Sequence, residues 1–247
     1  IIGKTGIEKQ YDNFLRGIDG GWLVESDAFG RQLNITDRIQ PIKGSDVYLT
    51  IDLDLQQVAE EALKQTHCAG AIVGLDPSNG AVKILVSQPN FDPNLFVELS
   101  NERLKYITDK SLPLYNRAIA GEYAPGSVFK IITAAAALNE KKISPEKEFF
   151  CPGYLNVGRR TFKCWEEKGH KTVNFLEGVR KSCDVYFYNL GLKVGIEALA
   201  EYAAKFNLGK LSNIDLPTEK PGFIPTAEWR KKHFPYGFVP GDIANIA

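Results

Sequence analysis

Two Ser-x-x-Lys pairs occur in the chain, at Ser127-Val-Phe-Lys130 and at Ser144-Pro-Glu-Lys147. A serine hydroxyl becomes an acylating nucleophile when a neighbouring base takes its proton, and a lysine amine does this in its neutral form. On a helix, residues i and i+3 share a face with Cβ atoms about 5–6 Å apart, so the amine can reach the hydroxyl. Context separates the two pairs. Ser127 follows Pro125-Gly126 and opens an apolar run to Leu138. Apolar surroundings favour the neutral amine, and a helix N-terminus offers free N–H groups and partial positive charge to an oxyanion. Local context alone also allows Ser127 to be a helix N-cap. Ser144 lies among Lys141, Lys142, Glu146, Lys147 and Glu148, where a solvated lysine stays protonated and is a poor base.

A second constellation falls within 33 residues: Cys151, Cys164, His170 and Cys183. Three thiolates and one imidazole make a complete tetrahedral zinc set. The spacings of 13, 6 and 13 are wider than those of a zinc knuckle. A disulfide between two of these cysteines is the alternative and suits an exported protein. Four cysteines are too few to staple a scaffold of 247 residues. Cys68 stands apart and is expected to be a buried apolar residue. His67 and His233 have no partner in sequence and read as surface or capping residues.

The elements that must position these groups read as an α+β arrangement. Apolar residues make up 44% and charged residues 24%, which suits a folded chain, and the net charge of +0 argues against a nucleic-acid partner. The greasiest run, Ile132 to Leu138, is too short to span a membrane. The chain has no Met and no signal peptide, so it is expected to be a segment of a longer protein. Residues 1–45 read as a small β-containing extension. Asp46–Asp52 alternates and predicts a strand, and Leu53–Gln65 carries helical spacing. The apolar runs 69–75 and 81–86 flank Pro77, Asn79 and Gly80 and predict a hairpin. Ser127–Leu138 predicts a helix, residues 140–170 read as irregular, and Asn174–Leu192 and Ile196–Phe206 predict two more helices. The proline-rich tail from Leu216 reads as loop.

Longer stretches carry a resemblance. Asn116-Arg-Ala-Ile, Tyr123-Ala-Pro-Gly-Ser-Val-Phe-Lys130, Leu49-Thr-Ile-Asp-Leu-Asp-Leu-Gln56 and Gly70-Ala-Ile-Val-Gly-Leu-Asp-Pro77 resemble the high-molecular-weight penicillin-binding proteins, class B, of the elongation type. So does Gly3-Lys-Thr-Gly-Ile-Glu-Lys-Gln-Tyr11 with Leu15-Arg-Gly17. The resemblance implies an α+β penicillin-binding transpeptidase (serine β-lactamase-like) fold: an antiparallel sheet with flanking helices plus an all-helical part. Residues 1–45 would end the pedestal that precedes the transpeptidase domain, and residues 46–247 would be that domain without its C-terminal strands. Ser127 and Lys130 match the family's first motif. The second motif matches Ser182-Cys183-Asp184 on a predicted helix, with Asp in place of the usual Asn. It implies that Ser182 relays a proton and that Asp184 contacts the substrate backbone. Without the resemblance, Ser182 reads as a mid-helix hydroxyl bonded to its own backbone. The third motif, Lys-Thr-Gly, is spelled only by Lys4-Thr5-Gly6, upstream and coincidental. Its strand would supply an oxyanion donor worth about 10²–10³ in rate, so these residues by themselves are expected to be inert.

The resemblance further implies structural zinc on Cys151, Cys164, His170 and Cys183, with no coordination position left open for chemistry. The implied reaction is a D,D-transpeptidation. Ser127 takes the acyl group of a peptidoglycan stem peptide ending in D-Ala-D-Ala, D-Ala leaves, and a neighbouring stem amine resolves the ester. β-Lactam antibiotics would acylate Ser127 and persist. The implied setting is the periplasmic face of the inner membrane, behind an N-terminal transmembrane helix and beside a membrane glycosyltransferase of the elongation machinery. Rival readings are a β-lactam-sensing or scaffold domain without turnover, a D,D-carboxypeptidase or β-lactamase, and the septal paralogue. The segment before the transpeptidase domain disfavours the hydrolases, and the Cys/His set disfavours the paralogue.

Overall fold

The structure is a computed structural model and describes residues 2–97 and 101–247. The chain divides into two compact units, residues 1–121 with 213–220 and residues 122–212 with 221–247.

In the first unit, two single-turn helices, α1 (Gly6–Gln10) and α2 (Asp12–Leu15), precede an antiparallel hairpin of β1 (Gly21–Ser26) and β2 (Gln32–Ile39). The two helical turns were not expected from the sequence. The expected strand at Asp46–Asp52 forms no ladder. It runs extended beside the later strand β4, tied by the Thr50 hydroxyl to the Val82 carbonyl (2.7 Å) and by the Asp52 N–H to the Lys83 carbonyl (3.0 Å). Helix α3 (Leu53–Gln65) starts where the Asp52 carboxylate accepts the Leu55 N–H, an N-cap that satisfies an otherwise orphaned donor. Strands β3 (Gly70–Leu75) and β4 (Val82–Gln88) form the expected hairpin. The Gln56 side chain joins α3 to it by bonding both the N–H (2.8 Å) and the carbonyl (3.0 Å) of Leu85. Short helices α4 (Asn94–Val97), α5 (Arg103–Thr108) and α6 (Arg117–Ala120) follow. Cys68, expected inside, is exposed just beyond the end of α3.

The second unit holds the main core. A 3₁₀ turn, Gly126–Phe129, runs into α7 (Lys130–Asn139), whose Ala136 and Ala137 are fully buried. Residues 140–170, expected to be irregular, carry the short strands β5 (Phe149–Cys151), β6 (Tyr154–Val157) and β7 (Arg160–Lys163). β6 and β7 pair as a hairpin, and β5 pairs antiparallel with β8 (Lys171–Val173). β5 draws its order from β8 further along the chain, and β6 and β7 are only four residues each, so local periodicity announces none of them. The expected helix Asn174–Leu192 is two helices, α8 (Phe175–Arg180) and α9 (Asp184–Val194). Helix α10 (Ile196–Lys205) agrees with its sequence pattern. The proline-rich tail contains α11 (Ala227–His233) and α12 (Pro240–Ile246), the second with proline at its first turn, where a missing N–H costs nothing.

The core gathers α7, α9 and α10 around the fully buried Tyr186, Phe187, Leu190 and Leu199. The Tyr186 ring lies against α8 at Gly178, where an added Cβ would sit 2.7 Å from the ring. Its hydroxyl donates to the Lys147 carbonyl at 2.9 Å, so the buried polar tip is satisfied. A Gly178→Ala variant is therefore expected to lose about 1–3 kcal/mol by overpacking, read as a thermal midpoint lower by roughly 2–10 °C. Tyr186→Phe, which removes only the hydroxyl bond, should cost about 1 kcal/mol.

Candidate active site and Cys/His cluster

Ser127 stands in the 3₁₀ turn at the mouth of α7, and Lys130 begins the α-helix proper. Gly126 takes φ +56, a left-handed conformation open to glycine, and so turns the chain into the helix at the serine. Ser127 is exposed and Lys130 is 9% exposed. The two share a cavity of about 300 Å³ with Ser182, walled by Ile131, Phe175, Val179 and Phe187. The apolar side predicted for Lys130 is present, including Phe187, whose ring centroid is 5.4 Å from Nζ.

The polar side was not predicted. Lys130 Nζ donates to the Ser182 carbonyl (2.9 Å), to Ser182 Oγ (3.0 Å) and to Asp184 Oδ1 (2.6 Å). The last contact is an ion pair between two largely buried side chains. Among the described residues, Lys130 makes no hydrogen bond to Ser127. An ammonium has three N–H bonds, and here all three are directed at the 182–184 segment.

That segment is the break between α8 and α9, where the sequence pattern had suggested continuous helix. Ser182 takes φ +47, and Cys183 is extended (φ −70, ψ 108) as the residue before α9. A non-glycine residue in the left-handed region costs on the order of 1–2 kcal/mol. The turn places Ser182 Oγ and its carbonyl on one lysine while Cys183 points into the core, fully buried. Asp184 lies in the same network. Its Oδ1 meets Lys130 and its Oδ2 accepts the Trp165 N–H at 2.9 Å, so both carboxylate oxygens are engaged within the chain.

Cys151, Cys164, His170 and Cys183 converge, with one ligand atom from each within 4.8 Å of all the others. His170 Nδ1 lies 3.8 Å from Cys151 Sγ and 3.5 Å from Cys164 Sγ. A tetrahedral zinc with bonds of about 2.0–2.3 Å would set such edges at about 3.6–3.8 Å, so the donor set fits that ion. All three cysteines are free thiols. The convergence depends on the pairing of β5 with β8 and on close backbone approach. At Gly169 (φ +72) an added Cβ would sit 2.1 Å from the Cys151 carbonyl oxygen. Burial pushes the Cys183 thiol up to about 12. A cation among these sulfurs would reverse that, because a metal-bound thiol is deprotonated.

Trp165, which the sequence reading passed over, joins the two constellations. It follows Cys164, its backbone N–H serves Asp184, and its indole N–H donates to the carbonyls of Lys181 (3.1 Å) and Ser182 (3.2 Å). The only sequence signal was a lone aromatic beside a candidate ligand. Lys4-Thr5-Gly6, by contrast, opens α1 in the first unit.

The penicillin-binding protein transpeptidase domain family matches residues 70–246, and the penicillin-binding protein dimerisation domain family matches residues 1–49. The chain is 37% identical to the peptidoglycan D,D-transpeptidase MrdA of Escherichia coli K12, over 98% of this chain and 38% of that protein. It spans about two fifths of the length of the curated relatives it matches. Pseudomonas aeruginosa PBP2 in complex with WCK 5153 is similar at a TM-score of 0.80 and 34% identity, over 98% of this chain and 51% of that one. Helicobacter pylori PBP2 in complex with MreC aligns at a TM-score of 0.82 and 30% identity, over 98% and 46%. A shared fold, similarity along 98% of this chain and a family match across most of its residues establish that the chain belongs to the penicillin-binding protein transpeptidase family.

Proposed function

We propose that the protein containing this chain is a peptidoglycan D,D-transpeptidase of cell elongation, with Ser127 as its acylated nucleophile. The single observation that carries the reading is the common cavity of Ser127, Lys130 and Ser182, with Lys130 Nζ 3.0 Å from Ser182 Oγ. Ser127 Oγ attacks the carbonyl between two terminal D-alanines of a stem peptide. A C–O bond forms, the C–N bond breaks, and D-Ala departs as an amine. Lys130 takes the Ser127 proton, and the Ser182 hydroxyl passes it to the leaving nitrogen. A neighbouring stem amine then attacks the ester and restores the serine. Asp184 holds Lys130 and the turn in place, a role its two engaged oxygens support better than contact with the substrate backbone.

Residues 1–45 act in this reading as the end of a pedestal and residues 46–247 as part of the catalytic domain. The setting is the periplasmic face of the inner membrane, reached through an N-terminal transmembrane helix. The partners are a membrane glycosyltransferase and a protein of the MreC kind, the latter supported by the similarity to the complex just described. Among the described residues, no helix is long and apolar enough to cross a membrane. Cys151, Cys164, His170 and Cys183 would hold one zinc, their four donors completing a tetrahedral set that leaves no position for a reactant.

Intact-mass measurement with penicillin should show one covalent adduct on the full protein and none on Ser127→Ala; an adduct that persists on the alanine variant removes Ser127 as nucleophile. Lys130→Ala should slow acylation by about 10²–10⁴. Asp184→Asn sets an amide NH2 against either Lys130 or the Trp165 N–H, loosens the turn that holds Lys130, and should slow acylation by about tenfold, equivalent to ~1.4 kcal/mol. Elemental analysis should find one zinc per chain, and chelation should remove it and lower the thermal midpoint. Finding no zinc, with two of the three clustered thiols oxidised, would exclude the metal.

A further inference from the structure

We infer that Trp165 is a positioning residue for the acyl transfer, its backbone and indole N–H groups fixing Ser182 and Asp184 in the arrangement that Lys130 uses. The inference rests on the proposed role of Ser127 and Lys130 and adds a residue to it.

The acceptors on the 181–184 segment are divided between two residues. Lys130 engages the Ser182 carbonyl, the Ser182 hydroxyl and one Asp184 oxygen. Trp165 engages the other Asp184 oxygen, shares the Ser182 carbonyl, and reaches the Lys181 carbonyl as well. Both residues therefore hold the same serine and the same aspartate. Ser182 sits at φ +47, a conformation a serine leaves unless its surroundings impose it. The indole N–H donates to the carbonyl of this strained residue, so rotation of the Ser182–Cys183 peptide would break that bond. The same rotation would take the carbonyl away from Lys130.

Trp165 is itself tethered. Cys164 beside it is buried, and the Trp165 ring meets the His170 ring edge-on at 5.2 Å. The ring is otherwise largely open to solvent, at 62% exposed. An exposed tryptophan kept only for packing would bury more than this. The specific use of the side chain is its N–H.

The decisive experiment alters that N–H alone. In the full-length protein, position 165 is replaced by benzothienylalanine, which keeps the ring shape and exchanges N–H for sulfur, and in parallel by 5-fluorotryptophan, which keeps the N–H. Trp165→Phe is the genetic counterpart. Stopped-flow acylation by a fluorescent penicillin is resolved into a non-covalent dissociation constant and an acylation rate constant, with zinc content and thermal midpoint measured alongside. The benzothienyl and Phe variants are expected to lose about tenfold in the acylation rate constant, the weight of one hydrogen bond. Dissociation constant and zinc content should stay at wild-type values, the midpoint should fall by no more than the few degrees that one lost hydrogen bond accounts for, and the fluorotryptophan protein should react like wild type. A wild-type acylation rate in the benzothienyl protein overturns the inference. So does an equal loss in the fluorotryptophan protein, which would mark a packing effect. Failure of wild type itself to be acylated would instead overturn the underlying reading. A crystal structure of the benzothienyl protein decides the positioning claim in either case: it is sustained if Ser182 leaves φ > 0 and overturned if Ser182 stays.

Discussion

An ammonium group withdrawn from water must find its acceptors inside the protein, and Lys130 finds all of them on one three-residue stretch. Desolvating a charge costs several kcal/mol before any partner is counted. A regular helix could not recover that here, because its carbonyls are already spent on its own N–H groups. The helix has to stop, and it stops between α8 and α9. The left-handed Ser182 is the local expense of exposing a carbonyl and a hydroxyl to the same donor. Burial of the lysine thus explains the break, the strain and the need for a carboxylate two residues on.

The same stretch answers to a second constraint from its other side. Cys183 lies between the two residues that hold Lys130 and is fully buried with Cys151 and Cys164. Its thiol, pushed up to about 12 by burial, sits comfortably neutral among hydrocarbon or as a thiolate on a cation, and poorly as a free anion. Either way it is an anchor with no slack. Asp184 then ties the anchor to the Cys164 loop through the Trp165 N–H. Lysine and Cys/His cluster are therefore joined twice, once along the chain at Cys183 and once across space at Trp165.

This double tether separates the features that local sequence specifies from those that distant partners impose. Helix α3, the β3–β4 hairpin and α10 are specified by their own residues: a capping Asp52, an Asp-Pro-Ser-Asn-Gly turn, and an apolar stripe. The Cys/His set stands out by composition alone, whereas Ser127 and Lys130 are separated from Ser144 and Lys147 only by their apolar context, and Ser182 and Asp184 are singled out only by the family resemblance. The Ser182 turn was not, since Lys181, Ser182 and Cys183 can each be helical and only the distant Lys130 makes them otherwise. The strands between 149 and 173 were hidden for the same reason, being three or four residues long and stabilised by partners rather than propensity. The extended 46–52 segment erred in the opposite direction. Its alternation was real, but only isolated bonds reach β4.

On the proposed reaction, the geometry also constrains the order of events. A lysine whose three N–H bonds are all directed at Ser182 and Asp184 has no lone pair to offer Ser127, so this arrangement is a resting one. In the reaction the neutral amine takes the Ser127 proton as that oxygen attacks, and the hydroxyl placed to carry the proton on to the leaving nitrogen is Ser182 Oγ, 3.0 Å from Nζ. The relay requires Nζ to turn toward Ser127 within the cavity the two residues share, while the 182–184 turn stays fixed. Rigidity in the turn and mobility in the lysine are complementary requirements. Four methylenes with rotatable bonds supply the second. The first comes from an ion pair, a buried cysteine and two N–H groups of one tryptophan.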